Sequence, residues 1–255
     1  MALQIVQIPC LQDNYGYLIH DSDSGATASI DTPEVAPIEA ALTANGWRLT
    51  HILNTHHHAD HAGGNLELKA HWQCTIVGPR ADRDRIPGID IEVGDGEFYN
   101  FGAQRVQVFD VPGHTRGHIA YYIAAAQAAF VGDTIFALGC GRMFEGTAEQ
   151  MWGSLSKLAA LPDATQLYCA HEYTASNARF ALSVEPNNVA LQRRAALIAQ
   201  LRAAQRPTVP STVAEEKATN PFLRPASPEL QQRLGMVGEP LVAVFAETRR
   251  RKDRF

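Results

Sequence analysis

Thiols and long apolar runs are both scarce in this chain of 255 residues. Each scarcity excludes a class of protein. The four cysteines, at positions 10, 74, 140 and 169, form no Cys-x-x-Cys pair and no regular spacing. Neither a disulfide-stapled scaffold nor a thiolate zinc site is indicated, and a reducing, cytoplasmic setting is expected. The longest mostly apolar stretch, residues 119–131, is interrupted by Gln127 and is too short to cross a bilayer, so no membrane partner is expected. The N-terminal stretch has no basic segment ahead of its apolar residues and no small-residue cleavage site, and reads as a first strand rather than a secretion signal. Basic charge is in deficit as well: 22 Lys and Arg stand against 27 Asp and Glu, net −5, which argues against nucleic acid as a partner. The deficit is uneven, because residues 1–171 hold 9 basic against 19 acidic side chains while residues 172–255 hold 13 against 8.

What is present reads as an α/β protein with a helical end. Runs rich in Val, Ile and Tyr at 3–8, 15–20, 27–30, 51–54, 74–77, 105–111, 119–123, 129–131 and 166–170 predict strands. Helical patterns fall between them at 35–44, 65–72 and 147–161, the last opened by a capping box, Thr147-x-x-Gln150. Strands first in meander and then alternating with helices suggest two mixed sheets covered by helices. After Tyr173 the chain turns strand-poor and rich in Ala, Leu, Gln and Arg. A helix is expected over 188–205 and another from Ser227-Pro228, with 207–225 an extended connector because prolines at 207, 210, 221 and 225 interrupt it. Two domains follow: 1–172 catalytic, 173–255 mostly helical.

Ten histidines are present, and four of them crowd into Thr55-His56-His57-His58-Ala59-Asp60-His61. Following a strand, this loop offers imidazoles and a hard carboxylate, a donor set for borderline divalent metals. One ion seldom accepts four ligands from six residues, so two ions are expected, His56 and His58 on one, Asp60 and His61 on the other. The missing ligands stand at the ends of later predicted strands: His114 for the first ion, His171 for the second, and Asp133, whose carboxylate has two oxygens, between them. His57 is expected to point away, His118 to make a structural hydrogen bond, and Asp31 either to orient a ligand histidine or to cap its turn.

These segments resemble the ordered motifs of metallo-β-lactamase-fold hydrolases, through His56-x-His58-x-Asp60-His61, Pro112-Gly113-His114-Thr115-x-Gly117-His118, Gly132-Asp133-Thr134 and His171-Glu172-Tyr173. Gly139-Cys140-Gly141-Arg142-Met143-Phe144-Glu145-Gly146-Thr147, Asn220-Pro221-Phe222-Leu223-Arg224 and Arg249-Arg250-Arg251-Lys252-Asp253 narrow the resemblance to the hydroxyacylglutathione hydrolase, or glyoxalase II, family. It implies an αββα sandwich with a C-terminal helical domain, and a monomer. The activity implied is hydrolysis of S-(2-hydroxyacyl)glutathione, typically S-D-lactoylglutathione, to the hydroxy acid and glutathione, the second step of methylglyoxal detoxification. A hydroxide bridging two metal ions, most simply Zn²⁺, with Fe or Mn as alternatives, would attack the thioester, and Asp133 and Asp60 would hold it through the metals. Arg142, Phe144, Tyr173, Arg249 and Lys252 match positions that contact the glutathione moiety. Arg142 stands where many members carry lysine, and Phe144 lacks the hydroxyl of the tyrosine found in eukaryotic members.

Competing functions are another hydrolase of the same fold, or a non-catalytic metal-binding protein. Asp60 in place of a cysteine ligand disfavours a β-lactamase, and the acidic first domain disfavours a nuclease. A lactonase has no use for the basic end, nor a single-iron dioxygenase for a second metal site. A storage protein does not need a bridging carboxylate. Arg250, Arg251 and Arg254 are expected to form a solvated face, and Cys140 and Cys169 to pack.

Overall fold

In a computed structural model residues 3–255 are described. The chain divides into two compact units, one holding residues up to Asp110 together with Arg116–Gly132, the other Val111–Thr115 with Asp133–Phe255.

The first unit begins with a meander, β1 (Gln4–Cys10), β2 (Asn14–Asp21) and β3 (Ala26–Ile30), paired antiparallel with Ile5 opposite Ile19 and Tyr17 opposite Ile30. Helix α1 (Val35–Asn45) then crosses over to β4 (His51–Leu53), which lies parallel to β3. The short α2 (Ala59–Ala62) and α3 (Asn65–Trp72) lead to β5 (Thr75–Pro79) and β6 (Ile91–Val93), both parallel additions. The resulting mixed sheet runs β1 to β6 in order. Strands β7 (Phe98–Phe101), β8 (Gln104–Asp110), β9 (Ile119–Ile123) and β10 (Ala128–Gly132) pair antiparallel in a second sheet.

Ile38 and Leu42 on one stripe of α1, with Leu68 of α3, pack against Leu18, Ile52 and Ile76 on one face of the mixed sheet. On its other face Tyr17 meets Phe130 at 5.7 Å between ring centroids, and the buried Tyr121 hydroxyl donates to the Asn54 carbonyl at 2.8 Å. Both faces are thereby covered, which is why these strands read as near-continuous apolar runs. Parallel strands β3 and β4 end at Ile30 and Leu53, and the segments that follow carry Asp31 and the histidine loop. That carboxyl edge is where α/β sheets place their ligands.

The second unit holds a small hairpin, β11 (Ile135–Phe136) with β12 (Gly139–Cys140), then α4 (Ala148–Ala159) and β13 (Gln166–Cys169). The capping box expected at Thr147 forms in both directions, Gln150 N to Thr147 Oγ1 and Thr147 N to Gln150 Oε1. Helices α5 (Thr174–Val184) and α6 (Val189–Ala203) enclose Leu138, Ala178, Ala181, Leu191 and Ile198. Residues 207–225 depart from the extended connector expected of them. Between the prolines lie β14 (Ser211–Thr212), paired to β13, and α7 (Val213–Thr219), started by a second capping box, Thr212 with Glu215. The prolines bar a long helix but leave room for two turns. Glu216 on α7 is fully buried and bonds the Leu138 N–H, the Asn220 amide and the Arg194 guanidinium. Helix α8 (Pro228–Leu234) starts at the expected Ser227 cap, and α9 (Leu241–Lys252) follows. Among the described residues no helix is long and apolar enough to cross a membrane.

Candidate metal centre

The donors of the first unit are aimed by Asp31. Its carboxylate accepts from the Thr55 N–H and from the Thr55 hydroxyl, each at 2.8 Å, and from His61 Nδ1 at 2.8 Å. Since the Thr55 hydroxyl gives its proton to Asp31, its oxygen accepts from His56 Nδ1, 3.0 Å away. Both imidazoles are thus held as the Nδ1–H tautomer, with the lone pair on Nε2. Asp31, His56 and His61 are all buried, and each offers one donor atom within 4.8 Å of the others. His58, which precedes the first turn of α2, brings Nδ1 to 3.1 Å from His56 Nε2. Asp60, on α2, lies with Oδ2 at 3.7 Å from His61 Nε2 and accepts from the Asn14 amide at 3.1 Å. The His61 carbonyl accepts from Thr32 N and the Asn54 amide, which fixes the turn itself.

His118 does not join these donors. It is buried and stacks on the His56 ring at 4.5 Å and 21°. His57 turns aside, with Nδ1 3.0 Å from the Asp82 carboxylate.

The second unit centres on Asp133. Its Oδ2 lies 3.3 Å from His114 Nε2 and its Oδ1 lies 3.4 Å from His171 Nε2, so the two oxygens face two different imidazoles. His114 Nδ1 donates to the Arg142 carbonyl at 2.9 Å, which leaves its lone pair on the nitrogen turned to Asp133. His171 lies flat against Tyr173, centroids 4.7 Å apart and planes within 3°. Gly141 is required for this approach, since a Cβ there would come within 2.0 Å of the Asp133 carbonyl oxygen.

In both units the donors are neutral imidazole nitrogens and carboxylate oxygens, with the second nitrogen of His56, His61 and His114 tied to the protein. That set suits divalent metal ions. Sulfur takes no part: burial pushes the Cys140 thiol up to about 11 and the Cys169 thiol up to about 12, far from thiolate formation at neutral pH.

The cations predicted to meet the substrate differ in character. Arg249 is only 5% exposed. Its Nη1 donates to the Cys140 carbonyl at 2.9 Å, and its Nε and Nη2 to Asp253 at 3.0 and 2.8 Å. Lys252, half-buried, has Nζ at 3.2 Å from Ser176 Oγ, with Phe180 and Phe255 at 5.6 and 5.5 Å. Burial first, and then the guanidinium groups of Arg249, Arg179 and Arg142, bring its ammonium down to about 8. Arg142 is exposed, Tyr173 is partly so, and Phe144 is 61% exposed with its ring 5.2 Å from His114. Arg250 and Arg251 pair with Glu247 on the outer side of α9. Thr55, Asn14, Asp82 and Ser176 were not expected from the sequence; of these only Thr55, inside the histidine run, carries a local signal.

Residues 23–171 match the family model described as the metallo-beta-lactamase superfamily, and residues 172–255 match the one described as hydroxyacylglutathione hydrolase C-terminus. Proteins named hydroxyacylglutathione hydrolase from Methylococcus capsulatus and Maricaulis maris are 58% and 57% identical over 253 residues, covering 99% of this chain and 99% of their own lengths. Among solved structures, ETHE1 from Myxococcus xanthus superposes with a TM-score of 0.67 at 26% identity, over 96% of this chain and 95% of that one. With imidazole and carboxylate donors gathered at the ends of the strands of this fold, the chain belongs to the hydroxyacylglutathione hydrolase family of the metallo-β-lactamase superfamily.

Proposed function

We propose that the chain hydrolyses S-(2-hydroxyacyl)glutathione, typically S-D-lactoylglutathione, to a 2-hydroxy acid and glutathione, as a cytoplasmic monomer acting second in methylglyoxal detoxification. Residues 1–172 form the catalytic domain and 173–255 the substrate-binding domain. His56, His58 and His114 would hold one ion, Asp60, His61 and His171 a second, and Asp133 would serve both, with Zn²⁺ as the expected metal. When bound, such a pair lowers the pKa of a coordinated water from about 15.7 toward about 7 and polarises a carbonyl. A thiolate leaves without a dedicated acid, because an ordinary thiol has a pKa near about 8.5. The chain's own work is positional: Asp31 and the Arg142 carbonyl fix the tautomers of His61, His56 and His114.

Glutathione carries two carboxylates, and the ammonium of Lys252 and the exposed guanidinium of Arg142 supply the opposing charge, with Tyr173 and Phe144 as the flanking rings. Arg249 serves the same edge from behind, by holding the Cys140 carbonyl two residues from Arg142. The observation that carries the reading is the Asp133 carboxylate with one histidine on each oxygen, in a chain matched over 99% of its length by relatives bearing this enzyme's name. The test offers a glutathione thioester, a lactone and a β-lactam to one metal-loaded preparation. Hydrolysis of the thioester with the others left intact is expected; turnover confined to the lactone or the β-lactam replaces the substrate assignment.

A further inference from the structure

Three residues of the first unit form a closed cycle that the metal ligands and the substrate cations do not use. Asp82 sits just beyond β5 with its side chain fully buried. One of its oxygens faces His57 Nδ1 at 3.0 Å, and the other accepts from Arg85, from Nε at 3.2 Å and also from Nη2. Arg85 closes the ring, its Nη1 lying 3.2 Å from His57 Nε2. A guanidinium only donates, so His57 Nε2 accepts and its proton stands on Nδ1, directed at Asp82. Every polar atom of the His57 ring is thereby committed to one orientation.

The same carboxylate touches a second loop. A Cβ on Gly117 would stand 2.3 Å from Asp82 Cγ and Oδ1, so the backbone at 117 lies directly against it. His118, the next residue, stacks on His56. One buried carboxylate therefore fixes the residue between His56 and His58 and also seats the loop whose histidine backs His56.

We propose that Asp82, with His57 and Arg85, is a positioning unit that sets the aim of His56 and His58 and so the affinity of the site for its metal ions. This rests on the metal-centre reading above, but not on the identity of the substrate. The mechanism is strain avoidance: once His57 swings, the peptide units on either side turn with it, and the 3.1 Å convergence of His56 Nε2 with His58 Nδ1 opens. Residues outside the ligand set that orient metal ligands typically contribute about 10- to 100-fold in metal affinity.

The test compares Asp82→Asn, His57→Ala and Arg85→Gln in the full-length protein, each first checked for native far-UV and near-UV circular dichroism. Zinc affinity is read by chelator competition, ligand geometry by the visible spectrum of the cobalt-loaded form, and kcat and KM are measured on a glutathione thioester. A roughly 10-fold or greater weakening of zinc retention, an altered cobalt spectrum and a lowered kcat with KM held are expected in all three. His57→Ala removes no buried charge and keeps the test decisive if Asp82→Asn fails to fold. Native zinc affinity and a native cobalt spectrum in a folded His57→Ala protein overturn the proposal. Metal affinity and spectrum need no substrate, so a protein inactive on every thioester, which would defeat the functional reading, leaves this test intact.

Discussion

His61 and Asp31 meet at 2.8 Å between Nδ1 and Oδ2, and Asp31 makes this contact from a left-handed backbone, φ 56°. A non-glycine residue is uncommon there, and aspartate is among those that tolerate it. Removing the carboxylate releases His61, Thr55 and, through Thr55, His56. Asp31→Ala is therefore expected to weaken metal retention by about 10- to 100-fold, measured as zinc content after dialysis against graded chelator. Retention equal to that of the unaltered protein would count against the orienting role.

Asp133 is expected to be indispensable. Asp133→Ala leaves His114 and His171 facing a gap instead of one carboxylate, and metal content and activity should fall together, activity to the uncatalysed background. Atomic absorption and thioester assays on the same sample check this. Full activity in a metal-depleted Asp133→Ala protein is the opposing outcome.

Lys252, proposed to oppose a glutathione carboxylate, is expected to give KM a pH dependence. Its ammonium is brought down to about 8, so its charge is complete below that value and lost above it. KM for a glutathione thioester should rise as pH climbs through about 8, with kcat less affected. Lys252→Met should raise KM by about 10-fold at pH 7, equivalent to ~1.4 kcal/mol, and flatten the profile. Stability carries the opposite sign. Because the folded value lies below the ordinary 10.5, the unfolded chain holds more protons between about 8 and 10.5, and the fold gains stability as pH rises through that window.

Arg249 and Lys252 should separate by readout. Arg249 is buried and bonded to Cys140 and Asp253, so Arg249→Ala should cost about 2 kcal/mol, as the loss of hydrogen bonds from a charged group does. That corresponds to a thermal midpoint lower by roughly 4–8 °C. Lys252→Met, which removes a partly desolvated ammonium, should leave the midpoint unmoved or raise it. Equal midpoints in the two variants contradict the division.

The histidine loop was legible because four candidate donors fall within six residues at one strand end, and the strands of the mixed sheet because both of its faces are covered. Strands β6 and β7 were missed: Ile91–Val93 and Phe98–Phe101 are short and mix exposed with buried positions, so neither carries a sustained apolar run. Helix α7 was missed because prolines were read as spacing out an extended segment, although Thr212-x-x-Glu215 was in plain view as a capping signal. The burial of Arg249 was foreshadowed by Val244, Phe245 and Thr248, which share its stripe of α9. A run of five cations in six residues masked that stripe. Asp82 left no trace, since nothing local distinguishes it from the other acids of the first unit.

All four cysteines are buried, and burial raises every one of their thiols, Cys10 to about 11 and Cys169 to about 12 among them. At neutral pH a thiol of pKa 11 is ionised in only about one molecule in ten thousand, and only the thiolate attacks a disulfide. Hydrolysis of a glutathione thioester releases a thiol whose oxidised dimer can exchange with protein thiolates. With its own sulfurs protonated and covered, the chain is expected to exchange slowly with glutathione disulfide, the oxidised form of that product.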